Sequence, residues 1–178
     1  LLKNIGVTGF KDYDETGEIE LDEIDPLTFC SYLNKYGPKK RVGLLQTLVK
    51  EIEVNIEVED DLGLPSSQAQ QVWFFPFKKD RLNGEIDRLW QFFFDSIEHK
   101  ISDDQFEDIL TIISIGKAKL TEALFYIDPE NYLPIDSPVK YYFENELDID
   151  PSFSSFTEYK SLLDTVRMKK SLPFYNIS

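Results

Sequence analysis

Ile109–Pro138 reads ILTIISIGKAKLTEALFYIDPENYLPIDSP. Ile109, Ile112 and Ile113, then Leu120, Ala123, Leu124 and Ile127, recur at three- and four-residue spacing, which predicts two helices. Ser114–Gly116 predicts a tight turn between them. Gly116 stands where the first helix stops and the second begins: it tolerates a positive φ, and its missing Cβ lets another backbone come close. The N–H groups that open the second helix have no partner inside it, and an anion is their natural partner. Lys117 and Lys119 flank that opening. A helix-hairpin-helix holding a nucleic-acid phosphate is built this way, so Ser114, Ile115, Gly116, Lys117 and Lys119 are candidate DNA-binding residues. The loop that follows presents Asp136. It reads either as the cap of a helix that starts at Pro138 or as a functional carboxylate, and the cap is the favoured reading.

Upstream, Ser102 and Gln105 form a capping box that opens a helix over Asp103–Ile112. From Gly84 to about Lys100 a further helix is expected, with Ile86, Leu89, Trp90, Phe93, Phe94 and Ile97 on one broad apolar face. His99, the only histidine, lies at its C-terminal end, where a cation suits the helix dipole. Residues 65–80, PSSQAQQVWFFPFKKD, set Gln68, Gln70 and Gln71 before Trp73, Phe74, Phe75 and Phe77. Aromatics among amides and lysines can stack on and read an unpaired base; the plainer reading is core aromatics and a polar helix surface. Asp136, Gln68, Gln71 and Trp73 are the candidate base pocket.

Residues 54–67 read as an acidic connector, and residues 25–53 as a helical hairpin. Asp25 is a good N-cap with Pro26 at the first helical position, and Gly37 is the expected stop. Leu27, Phe29, Cys30, Leu33 and Tyr36 give a buried stripe. Pro38 restarts a helix carrying Val42, Leu44, Leu45, Leu48, Val49 and Ile52. Lys39, Lys40 and Arg41 form the strongest basic cluster, placed against the helix dipole. A solvated turn is the simpler reading and phosphate contact the functional one.

Asp12–Glu23, DYDETGEIELDE, has the spacing of an EF-hand calcium loop. Gly6, Thr8 and Gly9 break the entering helix and Pro26 obstructs the exit helix. The favoured reading is an acidic turn at Glu15–Gly17 between two short extended pieces, with Glu18, Glu20 and Asp22 in solvent. At the other end, Ser137 and Pro138 open a helix to about Leu147. Ser155 and Glu158 cap another to about Lys170, and Pro173 ends it. No strand set is evident. The fold class is therefore mainly α-helical: a multi-helix domain over 25–178 with a helix-hairpin-helix at 103–127, an extended acidic segment at 1–24, and at most short strands near the N-terminus.

The chain has 178 residues, aromatic content of 14%, one cysteine and a formal charge of −14. That length suits one domain with a sizeable core. A lone cysteine excludes an internal disulfide and suits a cytoplasmic setting. No run of membrane-spanning length occurs, so no membrane partner is expected. The negative charge counts against nucleic-acid binding, which needs local positive charge. The start without Met and the stop at LPFYNIS suggest a piece of a longer, multidomain protein.

Ile109, Ile112, Ile115, Gly116, Leu120 and Leu124, with Ile135-Asp136-Ser137-Pro138-Val139 twenty residues beyond Gly116, resemble the helix-hairpin-helix of the endonuclease III-like DNA glycosylases. Ser114 stands for that motif's first glycine and Ile113 for its proline. Ala118 stands where bifunctional members carry the lyase lysine, so lyase chemistry is not implied, and Pro138 replaces a histidine. On a wider scale, Ile24–Lys35, Leu64–Phe77, the Ile86–Phe94 helix and Ile115–Ser137 are similar to the helical domain N-terminal to the AAA+ module of McrB-type methylcytosine-specific restriction proteins. That resemblance implies a DNA-recognition domain joined to an AAA+ motor domain in the same chain and served by a nuclease subunit. GKAKLT at Gly116–Thr121 lacks the P-loop order, so this stretch is not expected to hydrolyse nucleotides, and no cofactor or metal is expected.

Four functions compete. The leading one is a non-catalytic DNA-binding module of a restriction or repair ATPase. It would grip a phosphate at Ser114–Lys119 and Lys39–Arg41, and border a modified or flipped base with Asp136, Gln68, Gln71 and Trp73. The alternative is a protein-interaction module without DNA contact, which the charge favours. A monofunctional glycosylase using Asp136 and a calcium module at Asp12–Glu23 rank below these.

Overall fold

The computed structural model describes residues 3–7, 10–62, 64, 67, 72–82 and 84–177. Among them are seven α-helices and one two-stranded antiparallel sheet near the N-terminus, so the protein is mainly α-helical. Strands β1 (Lys11–Asp14) and β2 (Gly17–Glu20) pair with Asp12 opposite Ile19 and Asp14 opposite Gly17, closing a two-residue turn at Glu15–Thr16. Gly17 carries a φ of 123°, a backbone that favours glycine. Asp14 accepts from the Thr16 N–H and hydroxyl, which fixes the turn. Asp12 turns inward, where it pairs with Arg81 and accepts from the Lys78 N–H at 2.8 Å.

Helix α1 (Pro26–Asn34) starts as its sequence dictates: Asp25 Oδ1 accepts from Leu27 and Thr28 N–H, and Pro26 occupies the first turn. It closes at Lys35, two residues before the expected stop. Gly37 instead caps the start of α2 (Pro38–Glu51) in extended conformation. Helix α3 (Glu85–Ile97) follows a left-handed Gly84 and ends with a left-handed His99. Its inward line runs through Ile86, Leu89, Phe92 and Ser96, while Trp90, Phe94 and Ile97 lie outside. The expected apolar face is wider than the core it can reach, and the helix settles with Phe92 inward.

Helices α4 (Asp103–Leu110) and α5 (Lys117–Ile127) form the hairpin at the centre of the chain. Helix α4 is capped by Ser102 and tightens past its end through Ile112 N–H to Ile109 C=O and Ile115 N–H to Ile112 C=O bonds. The positive φ of the turn falls on Ser114, at 80°, while Gly116 is extended and caps α5. Helix α6 (Ser137–Tyr142) runs into one wider, π-type turn (Phe143–Leu147), and α7 (Phe156–Lys169) starts at a Ser155 cap.

The main core joins Phe92, Phe106, Leu120, Leu124, Phe143 and Leu163. A smaller core gathers Ile5 and Val7 against Tyr32, Leu33, Leu44 and Val72, so the N-terminal segment packs on α1 and α2. Trp73 touches both. The loop before α6 is fixed twice. The Tyr159 hydroxyl donates to Leu133 C=O at 2.8 Å and accepts from its N–H at 3.0 Å. Thr121 of α5 accepts from the Ile135 N–H at 2.9 Å. Asp136 is thereby held beside α5.

Candidate functional site: the opening and polar face of helix α5

Helix α5 begins without a side-chain cap and without an acidic residue in its first turn. Ser114, Gly116 and Ala118 are exposed there, and Ile115 is buried, pinning the turn to the core. The first N–H groups of the helix therefore have no capping side chain. The two lysines beside them are engaged by backbone carbonyls. Lys117 reaches the Phe153 carbonyl and lies 5.0 Å from the centre of its ring. Lys119 donates to the Trp73 carbonyl and, at 3.2 Å, to the Ser114 carbonyl, and sits 4.6 Å from the Phe74 ring centre. One lysine thus ties the hairpin turn to the aromatic segment.

Lys119, Glu122 and Tyr126 follow one another at three- and four-residue steps along α5 and share a face. The Tyr126 hydroxyl donates to Glu122. Burial pulls the Lys119 ammonium down to about 8, against the carboxylates of Asp25 and Glu122, which favour its charge. Burial pushes Glu122 up. The Tyr126 bond opposes that, the Asp136 charge adds to it, and Lys119 lowers it. Tyr126 is raised by burial, then by Glu122, and is eased by the Arg41 guanidinium. Asp25 is fully buried; burial lifts its carboxyl to about 6 against the Thr28 and Leu27 hydrogen bonds. Its Oδ2 has no hydrogen-bond partner among the described residues. Lys119, Glu122, Tyr126, Asp25, Arg41 and Asp136 are therefore electrostatic neighbours along one side of α5.

The fold brings some candidate residues together and separates others. Asp136 caps α6, accepting from the Val139 N–H at 3.0 Å, and is also felt by Glu122. Trp73 is partly buried, with ring neighbours Phe10 and Phe75 each at 5.4 Å in edge contact, and offers its carbonyl to Lys119. Gln68 and Gln71 lie outside the described residues. Lys39, Lys40 and Arg41 do not stand together. Lys39 and Lys40 are exposed, with Lys40 3.8 Å from the Tyr36 ring centre, whereas Arg41 is buried, paired with Asp61 at 3.2 Å and bonded to the Leu64 carbonyl.

Sequence reasoning does not single out Asp25, Glu122 and Tyr126 as site residues. The signal for the last two is the polar spacing 119, 122, 126 along α5. For Asp25 the capping role conceals the burial of its second oxygen. Chemically the face offers the Lys119 ammonium, the Glu122 and Asp136 carboxylates and the Tyr126 phenol, which can hydrogen-bond a polar planar group, with Asp25 buried behind them. The Cys30 thiol, raised to about 11 by burial, is a poor nucleophile. Among the described residues no group of three or more His, Cys, Asp or Glu could hold a metal ion.

A family model described as Domain of unknown function (DUF8425) matches residues 1–178. Nothing among the curated proteins or the solved structures matches the chain.

Proposed function

We propose that this chain, which belongs to the DUF8425 family, is a non-catalytic recognition module for nucleic acid. An unpaired base would be read by the polar face of α5, and one phosphate would be taken at the helix opening. One observation carries the reading: a single helix bears both an uncapped start on exposed residues and a partly buried polar face that meets Trp73 through Lys119 and Asp136 through Glu122. Base edges are read by hydrogen bonds and stacking, which such a face supplies. The likeness to McrB-type N-terminal domains supports the same reading and extends it to an AAA+ motor in the same chain, a nuclease partner and a cytoplasmic restriction system. Among the described residues no helix is long and apolar enough to cross a membrane.

Because Lys117, Lys119 and Arg41 are engaged by carbonyls or by Asp61, affinity would rest on amides and base contacts more than on ion pairing. The test is fluorescence anisotropy at low salt with single strands and with unmodified, methylated and hydroxymethylated duplexes. Ala118→Glu places a carboxylate at the α5 start, where the dipole welcomes it and a phosphate does not. It should leave folding intact and weaken binding at least about tenfold, roughly 1.4 kcal/mol. Glu122→Gln should change the preference among bases. Binding unaffected by both substitutions would remove α5 from the function.

The charge of −14 favours a second reading, a protein-interaction module without DNA contact. Absence of binding to every strand at low salt would select it.

A further inference from the structure

Helix α3 turns an apolar row away from the core. Trp90 is 40% exposed, Phe94 51% and Ile97 51%, at positions that stack along one side of the helix. Trp90 and Phe94 lie 5.7 Å apart, and Phe93, partly buried, meets both in edge contact. The row is held in shape rather than loosely displayed: the Trp90 indole N–H donates to the Ile24 carbonyl at 3.1 Å. Contiguous exposed aromatics on a fixed helix mark an interaction site more than a solvated surface.

Charge around the row is negative on balance. Asp87 and Glu98 fall on the helix edge beside it, both exposed, Glu98 with Lys100 at 2.5 Å, and Glu23, which Arg81 reaches at 3.7 Å, precedes the residue that anchors the indole. Asp95 lies further round, its carboxyl held below the usual range by hydrogen bonds from Gln91 and Gln105. The nearby cations are outnumbered and engaged: Arg88 by Asp108 and Thr111, Lys100 by Glu98, Arg81 by Asp12 and Glu23. An apolar row edged by carboxylates complements an apolar stripe edged by Lys or Arg.

We infer that the Trp90–Phe94–Ile97 row of α3 is a docking surface for a cationic amphipathic helix of a protein partner. It uses none of the residues of the α5 polar face, so its test and that of the nucleic-acid reading can fail separately.

The probe is a fluorescein-labelled Leu/Lys amphipathic peptide of about four helical turns, beside a Leu/Glu peptide with the same apolar stripe. The Leu/Lys peptide should bind in the micromolar range and the Leu/Glu peptide at least about tenfold more weakly. Phe94→Glu decides between docking and bulk attraction. It makes the protein more negative, so general charge attraction would tighten binding, whereas loss of the row should weaken it at least about tenfold. A Phe94→Glu protein that melts like the parent and binds the Leu/Lys peptide equally or better would overturn the proposal. So would equal binding of the two peptides. Sedimentation of the chain alone that shows a dimer dissolved by Phe94→Glu would assign the row to a second copy and also overturn it.

Discussion

Asp25 and Lys119 show how burial sets the behaviour of single groups. Asp25 titrates near 6 in the folded chain against 3.8 ordinarily, so the folded state binds its proton more tightly than the unfolded state does. Its contribution to stability therefore falls as pH rises from about 4 to about 6. Lys119, held at about 8 against 10.5, acts in the opposite sense. The folded state gives up this proton first, so stability rises between about pH 8 and 10.5. Asp25→Asn keeps an oxygen for the α1 cap and removes the charge. It should flatten the lower limb of the stability profile, measured by urea unfolding from pH 4 to 10.5, and, because the Asp25 charge favours the Lys119 ammonium, move the start of the upper limb to lower pH. Ser114 offers a second test at this scale. A φ of 80° is left-handed, where a side chain strains the backbone. Ser114→Gly should stabilise by about 1 kcal/mol, an increase in Tm of about 2–4 °C. A fall in Tm would show that the Ser114 side chain contributes something the backbone conformation does not reveal.

Elements are where the sequence speaks most clearly. Asp25 with Pro26, Ser102 with Gln105, Ser155 with Glu158, and Gly116 each mark a helix start that the fold uses. Caps are legible because donor and acceptor lie within three residues of each other. Gly37 reads on the wrong side of its boundary because glycine followed by proline can end one helix or begin the next. The α3 face reads too wide because helical periodicity gives the direction of an apolar face but not the width of the core that receives it. Asp136 tests capping against recognition at this scale. Asp136→Asn retains an acceptor for the Val139 N–H and should stay within a few tenths of a kcal/mol of the parent. Asp136→Ala should cost about 1 kcal/mol, read by thermal melting. If Asp136 also borders the base site, Asn will weaken DNA binding without destabilising α6. If it is only a cap, Asn will change neither.

For the whole molecule, what escapes the sequence is long-range. Arg41 meets Asp61 and the Leu64 carbonyl across an acidic connector, Lys119 meets a carbonyl 46 residues upstream, and Tyr159 grips Leu133 26 residues before it. A basic residue at a helix start reads as exposed until the tertiary partner is known, so the Lys39–Arg41 and Lys117–Lys119 clusters read as more outward-facing than the fold makes them. The burial of Arg41 and the engagement of Lys117 and Lys119 by carbonyls leave a protein of charge −14 with few projecting cations near α5. Phosphate-driven binding scales with the number of phosphates neutralised, and each adds a near-unit slope of log K against log salt on duplex DNA.

The salt dependence of DNA affinity is therefore the most direct measurement. Recognition by the α5 polar face with one phosphate at its opening predicts detectable binding whose log–log slope is shallow, about −1 to −2. A slope of about −4 or steeper would mean that several free cations grip the backbone, which contradicts the inward placement of Lys117, Lys119 and Arg41. No binding at low salt would contradict nucleic-acid recognition itself.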